Sequence, residues 1–327
     1  MADRTGGLQV TRHKPRAICL MGPTASGKTD LAVALVQRLP LEIINVDSAQ
    51  IYREMDIGTG KPDPETLALA PHRLLDFLDP AERYSAARFR SDALKEMQDI
   101  QAAGRTPLLV GGTMLYFRAL RDGLAEMPTA DPALRAEIDA LAAREGWNAV
   151  HQRLARLDPE AARRIHPNDP QRLQRALEVC ISTGRALTEI QRQGRIDSDR
   201  QDGFPFDLQF LSIQPGLRSV LHEKIARRFH GMVEAGLVAE VAALRDRGDL
   251  DLSLPSMRSV GYRQVWQYLD GEMRFDAMVE RGIIATRQLA KRQITWLRSW
   301  KRCTDFDSED RHTPDRVLKL IESDALY

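Results

Sequence analysis

The sequence predicts an α/β protein, with a parallel sheet flanked by helices, an inserted all-helical lobe and a helical C-terminal region. Three observations lead to this fold class. Short apolar runs alternate with amphipathic segments before residue 128, residues 128–200 show only helical periodicity, and residues 216–302 return to helical patterns after one more apolar run. Strands that alternate with helices along a chain usually pair in parallel and are covered on both faces.

The predicted strands are short apolar runs bounded by polar or turn-forming residues. They are AICLM (17–21), EIINVD (42–47), HRLLDFL (72–78), TPLLVGG (106–112) and DLQFLSI (207–213). Among the first four strands, a helical pattern at 28–39 lies between the first and second and another at 85–103 between the third and fourth, where Leu94, Met97 and Ile100 stand at helical spacing. This alternation predicts the sheet and two of the helices that cover it.

A chain of 327 residues can hold a core domain and a smaller second lobe. The helical segments of the predicted lobe are divided by Pro, Gly and Asp-Pro breaks, and 192–206 is predicted as the linker back to the sheet. The expected division is a flexible N-terminal tail (1–14), a catalytic core with a helical C-terminal part (15–127 and 201–302), a helical insertion (128–200) and a C-terminal tail (303–327).

The composition is typical of a soluble globular protein, with 43% hydrophobic residues, 28% charged residues and a formal charge of +1. No run of 18 apolar residues occurs, which argues against a membrane span, and the polar N-terminus argues against a secretory signal. The three cysteines are far apart and favour neither a disulfide framework nor a zinc site. We therefore expect a cytoplasmic protein, monomeric by default, with no membrane association and no obligate protein partner.

A phosphate-binding loop follows the first predicted strand. The segment GPTASGKT (22–29) matches G-x-x-x-x-G-K-[ST], with a strand before it and a helix after it. The backbone N–H groups of 24–29 and the helix N-terminus form an anion cradle, Lys28 adds a positive charge, and the Thr29 hydroxyl can bind Mg²⁺. This predicts a core like that of the P-loop NTPases; the alternative is a chance match in an ordinary strand–turn–helix.

The loop alone does not identify its ligand. ATP- and GTP-hydrolysing proteins with this loop usually end a later strand in an acid that supports Mg²⁺. Here TPLLVGGT (106–113) ends in two glycines and Thr113, without a carboxylate. The nearest acid is Asp47, at the end of the second predicted strand, where ligands of such folds bind. The alternative role for Asp47 is to cap the following turn.

Six segments follow one another along the chain: GPTASGKTDLA, NVDSAQIYREMDIGTGKP, YSAARF, LLVGGTMLY, NDPQRLQRALEV and RQLAKRQITWLR. Taken in this order, they closely resemble the bacterial tRNA dimethylallyltransferases, the tRNA isopentenyltransferases of the IPP transferase family. The resemblance extends from about residue 15 to residue 302. It implies transfer of a dimethylallyl group from dimethylallyl diphosphate to N6 of the adenosine 3′-adjacent to the anticodon, with Mg²⁺ and release of diphosphate.

The resemblance also implies roles for individual residues. Asp47 would accept the proton of the adenine amine, Thr113 would position the amine or a phosphate oxygen, and Lys28 would stabilise the leaving diphosphate. Apart from the resemblance, we expect the Arg227–Arg228 pair, with Arg228 as the assigned residue, to add a clamp on the diphosphate; the alternative is a solvated helix face. The implied donor site otherwise consists of Gly22, Pro23, Thr24, Ala25, Ser26, Gly27, Lys28 and Thr29.

The implied partner is the anticodon stem-loop of tRNA, whose target base must leave the stack to be modified. The segment QRLQR (171–175) could instead be a polar helix face, because Arg and Gln are good helix formers. The resemblance assigns tRNA contacts to Asp47, Ser48, Ala49, Gln50, Thr113, Arg135, Gln171, Arg172, Leu173, Gln174 and Arg175.

The C-terminal helical segment supports an RNA substrate independently. Residues 281–302 contain seven Arg or Lys and no Asp or Glu. A helical projection places Arg287, Lys291, Arg298 and Arg302 in one stripe, and opposite it the predicted anchors Met278, Leu289, Trp296 and Trp300. A basic stripe of this kind suits a phosphate backbone. We assign Arg258 and Arg263, in RSVGYR, to the same surface; Tyr262 between them could equally be a core residue.

Three other functions are compatible with parts of this pattern. An isopentenyl transferase acting on free AMP or ADP would use the same loop and Asp47, but would need no basic RNA-binding face. A small-molecule kinase would bind ATP and transfer its terminal phosphate. A non-catalytic RNA-binding protein would not need the intact loop together with Asp47 and Thr113, which makes it the weakest alternative.

Overall fold

The computed structural model describes residues 14–125, 127–129, 131–200 and 204–323. The chain forms two compact units. The first comprises Met1–Arg118 and Pro205–Tyr327, and the second comprises Ala119–Phe204. The sequence predicts 128–200 for the helical unit, so its structural boundaries lie several residues further out on both sides.

The first unit contains a sheet of six parallel strands. Their order in the sheet is β3-β2-β4-β1-β5-β6. In chain order the strands are β1 (Arg16–Met21), β2 (Leu41–Val46), β3 (His72–Arg73), β4 (Thr106–Gly111), β5 (Asp207–Gln214) and β6 (Cys303–Asp307). The expected parallel α/β architecture is therefore confirmed.

The helices of the described residues follow the periodic segments. In chain order they are α1 (Lys28–Val36), α2 (Pro64–Leu69), α3 (Ala86–Ala102), α4 (Met114–Asp122), α5 (Pro132–Glu145), α6 (Trp147–Leu157), α7 (Pro159–Arg164), α8 (Pro170–Thr183), α9 (Leu187–Arg200), α10 (Arg218–Glu234), α11 (Leu237–Asp246), α12 (Tyr262–Leu269), α13 (Phe275–Arg298) and α14 (Thr313–Ser323). None of the described helices is long and apolar enough to cross a membrane.

The central strands are apolar along most of their length because both faces of the sheet are covered. Ile18, Leu20, Ile43, Leu108 and Leu211 pack in one buried cluster with residues of α1 and α14. Helix α3 contacts β2 and β4. Burial on both faces explains why these strands appear in the sequence as continuous apolar runs and not as alternating patterns.

A second core lies within the first unit, among the C-terminal helices. Phe229 of α10, Leu237 and Val241 of α11, Tyr262 of α12 and Met278 of α13 belong to one buried cluster. The cluster also includes Ile51, Tyr52 and Met55 from the segment after β2. The helices α10–α13 are thus packed against the segment that carries DSAQIYREMDIGTG.

Three helices of the helical unit begin with the same pair of residues, an Asp cap followed by Pro. Asp131, Asp158 and Asp169 each cap a helix whose first residue is proline, and each carboxylate accepts hydrogen bonds from backbone N–H groups of the first turn. Asp at the cap and Pro at the first helical position are a favourable combination. The unit's core is formed by Ile138, Val150, Leu154, Ala161, Leu173, Ala176 and Leu177.

Four expectations about the fold need correction or fall on residues outside the described ranges. The predicted strand 72–78 is only two residues long, because Leu74 and Asp76 adopt positive φ angles of 54° and 56° that end it. The predicted linker 192–206 is helical as far as Arg200, and 201–203 lie outside the described residues. The described part of the predicted tail 303–327, which ends at residue 323, instead forms β6 and α14. Most of the predicted tail 1–14, namely 1–13, also lies outside them.

Candidate active site at the carboxyl edge of the sheet

Three segments leave the sheet at the same level of its carboxyl edge. Met21 of β1 pairs with Gly111 of β4, and Gly111 pairs with Val46 of β2. The phosphate loop, Thr113 and Asp47 follow these paired residues directly. Parallel strands thus bring together residues from three distant parts of the sequence, at the edge where ligands of such sheets bind.

A cleft in the first unit opens at this edge, with a cavity volume of about 150 Å³. Its polar part is lined by Thr24, Lys28 and Thr29 from the phosphate loop and the start of α1, by Asp47 and Gln50 after β2, and by Arg228 of α10. Its apolar part is lined by Val110, Ile225, Phe229, Met232, Val260 and Leu289. The cleft therefore combines an anion-binding surface with an apolar pocket of small-molecule size.

Lys28 is the principal cation of the phosphate loop. Its ammonium group donates a hydrogen bond to the carbonyl of Pro23 at 2.7 Å. Burial lowers the pKa of Lys28 to about 8; the nearby Asp47 carboxylate opposes this shift and the Arg228 guanidinium adds to it. A bound anion beside the ammonium group would favour its charged form and raise the pKa of Lys28 again.

The loop is tied to α13 by Gln293, which lies almost fully buried. Its carbonyl oxygen accepts a hydrogen bond from the Thr24 N–H at 2.9 Å, and its amide nitrogen donates to the Gly112 carbonyl at 3.0 Å. A Cβ on Gly112 would lie only 2.3 Å from that nitrogen, so the contact requires glycine. The expectation that the Thr24 N–H belongs to the anion cradle is therefore wrong, because Gln293 already occupies it.

Arg228 reaches the cleft from α10. Its guanidinium donates to the Thr24 hydroxyl at 3.4 Å and to the Gly60 carbonyl at 3.5 Å. A Cβ on Gly60 would lie 1.8 Å from the guanidinium, so glycine at this position lets the two segments approach. Burial lowers the pKa of Arg228 below its ordinary value, and Asp47 opposes that shift. The neighbouring Arg227 is exposed, so of the pair it is Arg228 that lines the cleft.

Asp47 lines the cleft and also caps the turn that follows it. Its Oδ1 accepts hydrogen bonds from the N–H groups of Ala49 at 2.9 Å and Gln50 at 3.4 Å. Among the described residues, none donates to Oδ2. The two roles considered for Asp47 are thus compatible: one oxygen fixes the carboxylate on the turn, and the other is available for a ligand.

Thr113 lies beside this turn and holds Ser48. Its hydroxyl accepts a hydrogen bond from the Ser48 N–H at 3.0 Å and donates to the Ser48 hydroxyl at 3.3 Å. Gln50 lines the cleft with its amide nitrogen bonded to the carbonyls of Thr59 at 3.3 Å and Gly60 at 3.0 Å. The segment 47–50 is therefore fixed from two sides, by the end of β4 and by the loop around Gly60.

The remaining phosphate-loop residues differ in their exposure. Ala25 and Thr29 line the cleft, whereas Gly22 and Pro23 are buried behind it. Ser26 is fully buried, and its hydroxyl has no hydrogen-bond partner in the described part of the chain. The side chain of Ser26 is thus turned away from solvent, which leaves its backbone N–H as its only group for an anion. Gly27 is exposed and takes a φ of 81° where α1 begins.

Most of the predicted tRNA-contact residues of the helical unit make contacts within that unit. Glu178, with a side chain 1% exposed, accepts hydrogen bonds from Arg135 at 3.0 Å and from Arg175 at 2.8 Å. Leu173 is fully buried in the unit's core, so its predicted contact with tRNA is wrong. Gln174 donates to Asp139 at 2.6 Å. Gln171 and Arg172 are exposed.

The predicted basic stripe on α13 is partly present. Lys291 and Arg298 are exposed, but Arg287 is half-buried and its guanidinium lies 3.5 Å from the His222 carbonyl. Arg302 lies beyond the last helical residue, Arg298, and has a φ of 57°, so its inclusion in the stripe is wrong. Of the predicted anchors, Met278 and Trp300 are buried, and Leu289 and Trp296 are half-buried. Arg258 and Arg263 are exposed, and Tyr262 between them is a core residue.

Two groups of cleft residues do not appear among the predicted site residues. Ile225, Phe229 and Met232 stand at helical spacing with Arg228 on one face of α10, and an apolar stripe with a single arginine is a readable signal. Gln293 is the only polar residue among the buried positions of α13, which are Met278, Gly282, Ala290, Gln293 and Leu297. A lone amide at a core position indicates a specific hydrogen-bond role.

Comparisons with known proteins place the chain in a family. A family model described as IPP transferase matches residues 50–300, and one described as isopentenyl transferase matches residues 15–78. The chain is similar to the tRNA isopentenylpyrophosphate transferase of Bacillus halodurans, with 36% identity, coverage of 95% of this chain and 96% of that one, and a TM-score of 0.69.

Two further solved structures are similar along most of the chain. The tRNA delta(2)-isopentenylpyrophosphate transferase of Staphylococcus epidermidis is 31% identical, with 95% and 99% of the two chains covered and a TM-score of 0.66. A eukaryotic dimethylallyltransferase acting on tRNA is 24% identical, with 94% of this chain and 78% of that one covered and a TM-score of 0.77. At that identity the eukaryotic structure supports the fold alone.

Proposed function

Because the chain belongs to the IPP transferase family, we propose that it transfers a dimethylallyl group from dimethylallyl diphosphate to tRNA. The proposed acceptor atom is N6 of the adenosine 3′-adjacent to the anticodon, and the second product is diphosphate. Because the proposed acceptor is tRNA, we propose the cytoplasm as the place of action.

One observation supports the proposal best: the cleft combines three kinds of surface in a single cavity. Cationic and N–H groups of the phosphate loop with Arg228 suit a diphosphate, the α10 residues Ile225, Phe229 and Met232 suit a short hydrocarbon, and Asp47 suits a proton acceptor. A cavity of about 150 Å³ accommodates a group the size of benzene, and a five-carbon allyl group is of similar size.

The proposed chemistry places developing negative charge on the departing diphosphate oxygens. Lys28, Arg228 and the backbone N–H groups that follow Thr24 would stabilise this charge in a fixed arrangement. The two cations are held close to the loop by their hydrogen bonds to Pro23 and Thr24. The apolar residues of α10 would keep water from the allyl group, which would otherwise be hydrolysed.

Mg²⁺ fits this site as a partner of the diphosphate. The described residues contain no group of three His, Cys, Asp or Glu that could hold a metal ion. Mg²⁺ commonly keeps several waters and takes few protein ligands when it is bound with phosphates, so the Thr29 hydroxyl is a sufficient protein ligand. The ion would neutralise charge on the diphosphate.

Asp47 would accept the proton that the adenine amine loses as the new N–C bond forms. Oδ1 fixes the carboxylate on the turn at Ala49 and Gln50, and Oδ2 would take the proton. Thr113 would act through Ser48 by fixing the start of this turn. The exposed cations Lys291 and Arg298, with Arg258 and Arg263, would bind the phosphates of the anticodon stem-loop.

The test is an acceptor competition with radiolabelled dimethylallyl diphosphate. The protein is incubated with unmodified tRNA, AMP or ATP, and the label is followed in each acceptor. We expect label in tRNA only, lost when the target adenosine is replaced. Label in AMP alone would favour a transferase acting on free nucleotides. Transfer of the terminal phosphate of ATP, with no use of the prenyl donor, would rule the proposal out.

Replacement of Asp47 tests its proposed role. Asp47→Ala should lower turnover by roughly 10²–10⁴, the usual effect of losing a positioned base, while tRNA affinity stays within a few-fold. Single-turnover kinetics and tRNA binding are measured on the same preparation. Asp99→Ala is the control, at an exposed acid of α3 outside the cleft. Near-normal turnover of the Asp47 variant would remove it from this role.

A further inference from the structure

The carboxylate of Glu240 is surrounded by hydrogen-bond donors. Glu240 lies in α11, and its Oε2 accepts from the N–H groups of Asp56 at 2.9 Å and Ile57 at 2.7 Å. Its Oε1 accepts from the Gly58 N–H at 3.0 Å and from the hydroxyl of the buried Tyr262. Three successive backbone N–H groups therefore converge on one side chain from a helix that is distant in sequence, and such charge-assisted bonds are strong.

The loop held in this way forms one wall of the cleft. Gly58, Thr59 and Gly60 line the cavity, and a turn bond from the Gly60 N–H to the Ile57 carbonyl, at 3.0 Å, connects this wall to the residues that Glu240 binds. The Gly60 carbonyl in turn accepts hydrogen bonds from Gln50 and Arg228. A continuous chain of contacts therefore runs from Glu240 through the backbone at 56–60 to the guanidinium proposed to hold the diphosphate.

We propose that Glu240 is a positioning residue of the donor site, which sets the place of Arg228 through the loop Asp56–Gly60. It touches neither donor nor acceptor; it acts by fixing the Gly60 carbonyl against which the guanidinium rests. This inference rests on the proposed function for its substrate, but its test uses inorganic pyrophosphate alone and does not depend on prenyl transfer.

The amide Glu240→Gln is the informative change. It keeps the size of the side chain but replaces one acceptor oxygen by an NH₂ group, which then faces backbone N–H donors. One or two of the four hydrogen bonds no longer form, the loop shifts, and Arg228 is separated from its carbonyl partner. We expect the affinity for pyrophosphate to fall about tenfold, the effect of losing about 1.4 kcal/mol of binding free energy.

A double-mutant cycle distinguishes positioning from a general structural effect. Pyrophosphate affinity is measured by calorimetry for the wild type, Glu240→Gln, Arg228→Gln and the double variant, together with the thermal midpoint of each. If Glu240 acts through Arg228, its substitution adds less than twofold in the Arg228→Gln background, because residues that share one interaction are not additive. Glu234→Gln, an exposed acid at the end of α10, is the control and should bind as the wild type does.

Each outcome decides the inference. Full additivity in the cycle, or unchanged pyrophosphate affinity in Glu240→Gln, would overturn it, even if the thermal midpoint falls. If Glu240→Gln does not fold, the same cycle is run with Glu240→Asp, which keeps the charge and shortens the reach, and the same criterion applies. A wild type that binds pyrophosphate but labels no tRNA would refute the proposed function and leave the test of Glu240 valid.

Discussion

Lys28 combines a charge with a half-buried position in the cleft. Burial lowers the pKa of Lys28 from an ordinary 10.5 to about 8. The positive charge of Arg228 lowers this pKa further, and the negative charge of Asp47 opposes the shift. Between these two pH values the unfolded chain binds more protons than the folded one. The contribution of Lys28 to stability therefore rises with pH in that window, and it is lowest where the lysine is charged.

We expect diphosphate binding to show the opposite pH dependence. A bound anion favours charged Lys28, so pyrophosphate affinity should fall by up to about tenfold per pH unit above pH 8, and binding should take up a proton there. Calorimetry in two buffers of different ionisation enthalpy measures that uptake. Lys28→Met should abolish both effects, and Lys95→Met, at an exposed position of α3, should change neither. Equal proton uptake in Lys28→Met would contradict this assignment.

Glu178 plays a structural role in the helical unit. Burial opposes its ionisation, but hydrogen bonds from Arg135, Arg175 and the Asp131 N–H outweigh burial and hold its pKa below the ordinary value. A carboxyl group with a depressed pKa stabilises the fold at neutral pH, and this stabilisation is lost as the pH falls through the folded-state value.

We expect Glu178→Gln to destabilise the helical unit by about 3 kcal/mol, since removing one partner leaves two arginines without their carboxylate. Thermal unfolding of the full chain, with hydrogen exchange of α5 and α8, measures the loss. Glu189→Gln is the matched control, because Glu189 pairs with Arg185 in an exposed position and should cost less than about 1 kcal/mol. Equal effects of the two substitutions would show that the Glu178 pairs contribute little.

The sequence predicts cleft residues where a motif carries its own chemistry. Lys28 and Asp47 follow from strand-end positions and the phosphate loop, and both line the cleft. Glu240 and Gln293 could not be found in this way, because their roles depend on backbone groups of segments far away in the sequence. For the same reason Arg135 and Arg175 cannot be distinguished from RNA contacts until Glu178 is seen between them.

At the scale of elements, α13 combines a buried seam with a basic exposed face. Gln293 in the seam holds the phosphate loop through the Thr24 N–H, whereas Lys291 and Arg298 are turned to solvent. The helix thus connects the proposed donor site with the proposed RNA surface. The periodicity of the sequence is sufficient to predict the buried and the basic face of α13. It does not predict that the helix ends at Arg298, so that Arg302 is not part of the basic face.

We expect the affinity for tRNA to fall steeply with salt, in proportion to the number of phosphates contacted. Lys291→Ala with Arg298→Ala should reduce the slope of log K against log salt by about 2, near one unit for each phosphate that is no longer neutralised. Filter binding between low and moderate salt measures the slope. Lys95→Ala with Lys319→Ala removes two exposed charges elsewhere and should leave it unchanged. An unaltered slope in the first variant would exclude α13 from the interface.

Two elements show where periodicity fails as a guide. The run 72–78 has the composition of a strand, but the positive φ angles of Leu74 and Asp76 end it after two residues, and nothing in the run marks them in advance. The segment CTDFD, by contrast, has a polar composition that hides β6. It forms a strand because it can pair with the edge of β5. Tertiary pairing thus outweighs the weak strand propensity of the segment itself.

For the whole molecule, the order of strands means that the sheet is completed by the end of the chain. Strand β6 pairs with β5, and Phe306, Val317 and Ile321 join the same buried cluster as β1 and α1. Residues 303–323 are therefore a structural part of the first unit, despite their polar composition. Their removal would uncover both an apolar face and a strand edge.

We expect truncation after Arg302 to lower the thermal midpoint by about 10 °C or more. Three buried apolar side chains are removed, each contributing about 1.5–3 kcal/mol, and each kcal/mol corresponds to about 2–4 °C in a unit of this size. Differential scanning calorimetry measures the change, and light scattering detects association through the exposed edge of β5. Phe306→Ala should give a smaller shift of the same sign, and the exposed Lys319→Ala none. A truncated chain as stable as the full one would contradict this role.

The position of β6 also has a consequence for synthesis on the ribosome. Strands β1 to β5 are translated first, but the neighbour of β5 is translated only after about another ninety residues, so the edge of β5 stays unpaired in the nascent chain during that interval. A pause in translation between these two strands would prolong the lifetime of that edge. The rate of translation between the codons of β5 and those of β6 should therefore affect the yield of folded protein more than the rate over the codons that precede β5.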